Sequence, residues 1–415
     1  MRRSLTVGMC LLFSLAASTV VAQFLINDTF DTDLGDWTAG MKSTVVWDPL
    51  DADGSPGSGS VLVTNISDSA GDGTGPEQCV DGIVAGEMYR VSADILIPEG
   101  QAETGSVNLL LRWYGDACGG AQTGPNSTSS RINTAEAGVW FANGVTGVAP
   151  PGTRSARFRL TIQQQGDSGT LAAHFDNVSL EIVDRTLSYV PAAGFAPGDA
   201  GSFWVTDLDV NNPNGETMTY ELWWLPRGED NTEPMKSELF TLGAEQNRRH
   251  RNVLGEVFDL DPDDAPFGAL VVASDRPDTL AMARVFNQPD GGGIGTFGQA
   301  IPGVPARRMI RQEQRLRILF MSEDDDLRAN VGCQNGTDAD LRIMIELFDA
   351  SGESYGLEVL DLPPYSNNQI NRIFRDWKPI DGYVDVWSTT PRASFYCYGS
   401  VLDNLSSDPT TVLPQ

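Results

Sequence analysis

The sequence predicts an all-β protein made of three successive sandwich domains, and three observations carry that prediction. Short apolar runs recur between turn residues, with 43 Gly and 24 Pro in 415 residues. In the first half these runs alternate apolar and polar residues with a period of two, and no long stretch has helical spacing. In the second half a pattern of strand, turn and strand occurs twice.

The first 22 residues read as an export leader. Arg2 and Arg3 precede the apolar run "LTVGMCLLFSLAASTVV", and the small Ala22 stands before Gln23. The run is short for a membrane span and is followed at once by "QFLINDTFDTD". Cys10 follows Met9 inside the run, which does not suit a lipid anchor. The expected product is a soluble protein outside the cytoplasm, secreted or periplasmic. Loss of Arg2 and Arg3 takes the formal charge from −28 to −30. Such a field repels nucleic acid and anionic membranes as partners.

Four cysteines lie beyond the leader. Cys79 and Cys118 fall in one predicted domain, Cys333 and Cys397 in another, and the predicted bridges join 79 to 118 and 333 to 397. Cys333 is in phase with Val331 and Cys397 with Phe395, so the second bridge is expected in a core. No CxxC spacing suits zinc.

Residues 23–185 form the first predicted domain. In "YRVSADILI", Tyr89, Val91, Ala93, Ile95 and Ile97 share one face, and Arg90, Ser92 and Asp94 the other. In "VNLLLRWY", Val107, Leu109, Leu111 and Trp113 oppose Asn108, Leu110, Arg112 and Tyr114. In "ARFRLTIQQ", Ala156, Phe158, Leu160 and Ile162 oppose Arg157, Arg159, Thr161 and Gln163. The expectation is one sheet with a shared polar face carrying Asp94, Arg112, Tyr114, Arg159 and Gln163. Arg, Gln and Asp can bind vicinal hydroxyls while a Tyr ring lies against a pyranose, so this face is the candidate sugar site. Trp37, Trp113 and Trp140 are read as packing residues. Trp47 is read as an aromatic platform at the rim.

The entry "INDTFDTDLGDW", the central "QCVDGIVAGEMYRVSADILIP" and the exit "APPGTRSARFRLTIQQQGDSGTLAAHFDNVSLEIV" together resemble the carbohydrate-binding modules of families 4, 9 and 22, over residues 24 to 184. The resemblance implies a jelly-roll fold, polysaccharide as partner, and a structural Ca²⁺ held between Asp31 and Asp176 with backbone carbonyls completing the shell.

After a linker near 184–197, residues 186–305 and 306–415 read as two copies of 100 to 115 residues, the size of an immunoglobulin-like sandwich. "DVNNPNGETMTYELWWLPRGE" corresponds to "VGCQNGTDADLRIMIELFDASGE", with Asn211 and Asn335 equally far before Gly228 and Gly352. "GALVVAS" corresponds to "GYVDVWS". The copies resemble duplicated β-sandwiches of exported bacterial proteins, a likeness that implies no activity.

Catalytic chemistry is sparse. Only His174 and His250 are present, and both are read as surface or strand residues. "GIGTFG" at 293–298 matches a dinucleotide pattern without a strand and helix around it, and is read as a turn. The acidic loops around Asp51, Asp261 and Asp324 lack calcium-loop spacing. Asn65, Asn177, Asn335 and Asn404 are among six N-x-S/T sequences. The leading reading is a non-catalytic exported polysaccharide-binding protein. A structural or adhesive surface protein and a polysaccharide hydrolase are the competing classes.

Overall fold

The computed structural model describes residues 25, 29–35, 37–167, 169–198, 202–288 and 296–415. The leader, Asn27 and the first half of the 293–298 motif lie outside the described residues. Phe297–Pro302, which closes that motif, is a strand paired with Leu280–Asn287, so no phosphate-cradling helix follows it. The protein is all-β, a jelly-roll sandwich followed by two immunoglobulin-like sandwiches, and its residues fall into two compact units, up to Val183 and from Asp184 onward. Among the described residues one short α-helix occurs, Val253–Phe258, which buries Val253, Leu254 and Phe258.

In the first unit a five-stranded antiparallel sheet runs Ser43–Asp48, Ser60–Asn65, Leu171–Ile182, Met88–Leu96, Trp140–Val148. It faces a second sheet, in which Ser155–Gln164 pairs with Gly105–Tyr114 along its whole length. Gly73–Thr74 and Glu77–Asp81 flank the first of these strands, and Ser127–Thr128 and Ile132–Asn133 the second. The alternation explains the packing. Val107, Leu109 and Leu111 meet Phe158, Leu160 and Ile162 from the same sheet and Val91, Ile95 and Phe175 from the other, all fully buried. Full burial of each such side chain contributes about 1.5–3 kcal/mol.

The strand bearing Asp94 therefore belongs to the opposite sheet from those bearing Arg112 and Arg159. Alternation specifies which side chains point inward; it carries no information about which of two facing sheets a strand joins. The expected single polar face is corrected on this point.

In the second unit the two copies repeat one topology. The first has a sheet ordered Asn247–His250, Phe203–Asn211, Leu280–Asn287, Phe297–Pro302, and the second one ordered Asn367–Ile370, Leu327–Asn335, Ser394–Asp403, Pro409–Val412. The facing sheets match likewise, with Met218–Pro226 and Leu341–Phe348 in equivalent places beside Phe267–Ser274 and Gly382–Trp387.

The side chain that matches Asn335 is Asn212, not Asn211. Both are fully buried. Asn335 Nδ2 donates to Ala339 O (2.8 Å) and Pro363 O (2.8 Å), and its Oδ1 accepts from Thr337 N (2.9 Å). Asn212 Nδ2 donates to Glu216 O (2.7 Å) and Gly243 O (2.9 Å), and its Oδ1 accepts from Asn214 N (3.1 Å). Each amide thus satisfies the carbonyls of two converging connections in place of water. The same burial removes Asn335, and with it Asn65, from the accessible N-x-S/T sites.

Both predicted disulfides are present. Cys79 joins Cys118, and Cys333 joins Cys397 directly across a strand pair. Both sulfurs of the second bridge lie in the core, whereas Cys79 is exposed.

Candidate functional site

The outer face of the six-stranded sheet carries three arginines around one carboxylate. Registered pairing sets Arg157 between Cys79 and Arg112, and Arg159 between Glu77 and Leu110. Glu77 forms an ion pair with Arg159 through Nε and Nη2, lies 3.2 Å from Arg157 Nη1 and stands 3.7 Å from Arg112 Nη1. Three cations thus share a single anion, and the cluster keeps a formal charge of +2. Gln163 Nε2, further along the same face, donates to Gly71 O.

Beside Glu77 and Arg159 a recess of about 360 Å³ is walled by residues 38–41 and 73–75. Its shape depends on two glycines. A Cβ on Gly75, which sits at φ +151°, would fall 1.7 Å from Leu160 O, and one on Gly40 would fall 2.5 Å from Gly75 O.

Of the five sugar-site residues expected from the sequence, the structure brings Arg112, Arg159 and Gln163 onto this face. Tyr114 points the same way but is only 6% exposed. The chain after it folds back, with Gln122 bridging to Tyr114 and Thr123 N donating to Trp113 O (3.1 Å). The Arg157 guanidinium lies 5.5 Å from the Tyr114 ring centroid. The ring is an internal cation–π partner, not a stacking platform. Asp94, on the other sheet, accepts from Asn177 Nδ2 at 2.9 Å. Arg157 and Glu77 were not singled out from the sequence. Arg157 is in phase with Arg159, so the pattern contained it; Glu77 lies on a five-residue strand outside the long alternating runs.

Trp47 is half-buried, packs on the core and donates from Nε1 to Phe30 O (2.8 Å), so it is not a bare rim platform. Trp37 and Trp113 are core residues as expected, and half-buried Trp140 packs edge-on to His174. Both histidines are buried. His174 Nδ1 bonds Ser60 Oγ (2.9 Å), and His250 Nε2 bonds Tyr220 OH (2.8 Å). Both lie on strands, as read, but neither is at the surface: His250 sits on the inward phase of its strand, against Tyr220 and Phe240, whereas His174 is out of phase with the core residues Ala173 and Phe175 and is covered by Trp140 on the outer face. Burial pushes the His174 pKa down.

The expected calcium carboxylates are engaged separately. Asp31 is exposed and accepts from Ser58 Oγ (3.4 Å). Asp176 is fully buried at a bulge in its strand, accepting from Ala52 N (2.8 Å) and Asn177 N (2.7 Å). Burial raises the Asp176 pKa, and the nearby charges of Asp51 and Asp94 raise it further. Among the described residues no group of three or more His, Cys, Asp or Glu is gathered as a metal site. The donors around Asp176 are the hard oxygens that calcium takes, and their mutual repulsion is what a cation would relieve.

No protein-family model matches the sequence, and no curated protein matches it. Solved structures with some likeness include bacteriophage CBA120 tailspike protein 4, at 12% identity and TM-score 0.31, covering 39% of this chain and 21% of that one. The CBM22-1 and GH10 modules of Clostridium thermocellum xylanase 10B, complexed with xylohexaose, match at 17% identity and TM-score 0.28, covering 37% of this chain and 27% of theirs. The tandem CBM22 domains of Paenibacillus barcinonensis Xyn10C match at 10% identity and TM-score 0.31, over 96% of this chain and 99% of theirs. Likenesses this low leave the function of this chain to its own residues.

Proposed function

We propose that the first unit binds polysaccharide on the outer face of its six-stranded sheet, without catalysing a reaction, in a protein exported from the cytoplasm. The observation that carries this reading is the convergence of Arg112, Arg157 and Arg159 on Glu77 in a chain with 56 acidic and 28 basic residues. A guanidinium fork suits vicinal hydroxyls and, more strongly, a carboxylate or sulfate, so the residual +2 charge favours glycans with acidic substituents. The two disulfides suit an oxidising compartment. Among the described residues no helix is long and apolar enough to cross a membrane.

Affinity electrophoresis tests this. The full chain should be retarded in gels containing acidic polysaccharide, and Arg112→Ala with Arg159→Ala should weaken retention at least tenfold. Undiminished retention in that variant would place the site elsewhere. No retardation on any acidic or neutral glycan favours the scaffold class, and release of reducing sugar favours the hydrolase.

Calcium belongs to the same proposal, with Asp176 as its principal ligand. At a hundredfold excess over Kd a single bound ion stabilises by about 2.7 kcal/mol, or roughly 5–10 °C in Tm for a unit of this size. Asp176→Asn should lose this shift and Asp31→Asn should keep it. A wild-type Tm identical in calcium and in chelator would remove calcium from the account.

A further inference from the structure

We infer that the cleft between the two C-terminal sandwiches is a second, independent ligand site, which takes an acidic sugar by pairing its carboxylate with Arg227. The cleft has a volume of about 780 Å³, within the range of about 300–1,000 Å³ usual for small-ligand sites. Its walls come from both copies. Trp204, Arg227 and Phe267 belong to the first, and Asn330, Gln369 and Tyr398 to the second. The walls are held together by direct bonds between the copies, with Gly228 N donating to Asn367 O (3.0 Å), Asn367 Nδ2 to Pro191 O (3.2 Å) and Ser400 Oγ to Gln299 Oε1 (3.0 Å).

Arg227 is the decisive residue. Its guanidinium lies 5.1 Å from the Phe267 ring centroid, and its Nε is sealed from solvent without a hydrogen-bond partner. Among the described residues no carboxylate comes within ion-pair distance of it. A shielded, unpaired charge is costly, and in this chain acids outnumber bases twofold. Asp324 and Asp325 line the same cleft, but Asp325 pairs with Lys378 and neither pairs with Arg227, and a cation left unpaired there points to an anion supplied by the ligand. Arg328, on the opposite wall, bonds only neutral acceptors, Asn404 Oδ1 (3.0 Å), Ser407 Oγ (3.3 Å) and Asp403 O (3.4 Å).

The remaining groups select a hydroxylated ligand over a bare anion. Tyr398 OH donates to Gln369 Oε1 (2.9 Å), and Gln369 Nε2 donates to Asn371 Oδ1 (2.6 Å). Asn330 Oδ1 accepts from Arg372 N (2.9 Å). These bonds fix the amides and leave Asn330 Nδ2 and Asn371 Nδ2 as donors toward hydroxyl oxygens. Trp204, half-buried in the cleft wall, offers ring surface for a pyranose face.

The test uses the full chain carrying Arg112→Ala and Arg159→Ala, so that the face of the first unit is silenced and the two sites are read separately. Calorimetric titration with trigalacturonate should give one site, and its methyl ester should bind at least tenfold more weakly. In that background Arg227→Met should lose at least tenfold in affinity, and Arg227→Lys should fall between. Absence of binding in the silenced chain overturns the inference, as does binding that Arg227→Met leaves unchanged. Displacement of the trimer by equimolar sulfate would show a bare anion site and overturn the sugar assignment. Should Arg227→Met unfold, hydrogen exchange of the silenced chain decides. Trigalacturonate should protect residues 367–371, and no protection overturns the inference.

Discussion

Replacing Cys79 and Cys118 together with serine should lower the stability of the first unit by about 4 kcal/mol, the loop-closure contribution for a 39-residue separation. At roughly 2–4 °C per kcal/mol this is a fall in Tm of about 8–16 °C. The bridge does more than close a loop. It ties Glu77–Asp81, the strand that presents Glu77, to the chain that folds over Tyr114, and Cys118 O accepts a hydrogen bond from Arg157 Nη2. Loss of the bridge should therefore weaken retention on acidic glycan as well as thermal stability. Reduction under native conditions should be ordered, because Cys79 is exposed and both partners of the second bridge have no exposure. A mass-resolved reduction series in which Cys333 and Cys397 become free first, or a serine pair with unchanged Tm, would contradict this.

Acidification from pH 7 to pH 4 should destabilise the second unit by an amount of which His250 alone accounts for on the order of 3 kcal/mol. The ring is enclosed by Phe240, with centroids 4.7 Å apart, and by the Tyr220 hydroxyl. Burial pushes its pKa down to about 4, and Arg248 adds to the effect. The folded chain thus holds His250 neutral while the unfolded chain takes up a proton below about 6.5. Stability is fully present above that value, is lost as pH falls toward 4, and changes no further from this group below it. His250→Asn should flatten that part of the curve in urea titrations of the second transition. Equal slopes for the two proteins between pH 6.5 and 5 would exclude His250 as the source.

The fold was legible where local periodicity determines it. The alternation of 107–114 and 156–163 correctly identified the inward faces, because a half-buried strand cannot place polar and apolar side chains otherwise. The candidate site was legible only in part, because it depends on pairing between distant strands. Asp94 has the right phase on the wrong sheet, and Glu77 reaches the arginines only through registry with Ser155–Gln164. Tyr114 has the right phase and sheet, but the chain that covers it follows no period. The equivalence of Asn335 was misjudged by one residue for a similar reason. Equal distance to the next turn glycine presumes equal turns, whereas Met218 and Leu341 each open the next strand six residues after Asn212 and Asn335. The true equivalence follows from bonds to carbonyls about thirty residues away.

The matched sheets also show that one copy alone carries sulfur at this place. Counting back from Asn212 and Asn335, the place of Cys333 in the first copy is taken by Val210, and Val210 stands across from Ala281 as Cys333 stands across from Cys397. A branched and a small apolar side chain fill the cross-strand position that the other copy closes covalently. The duplicated half is thus asymmetric toward oxidants. The first sandwich completes its core with no electron transfer, while the second attains its full stability only after two electrons have left its thiols.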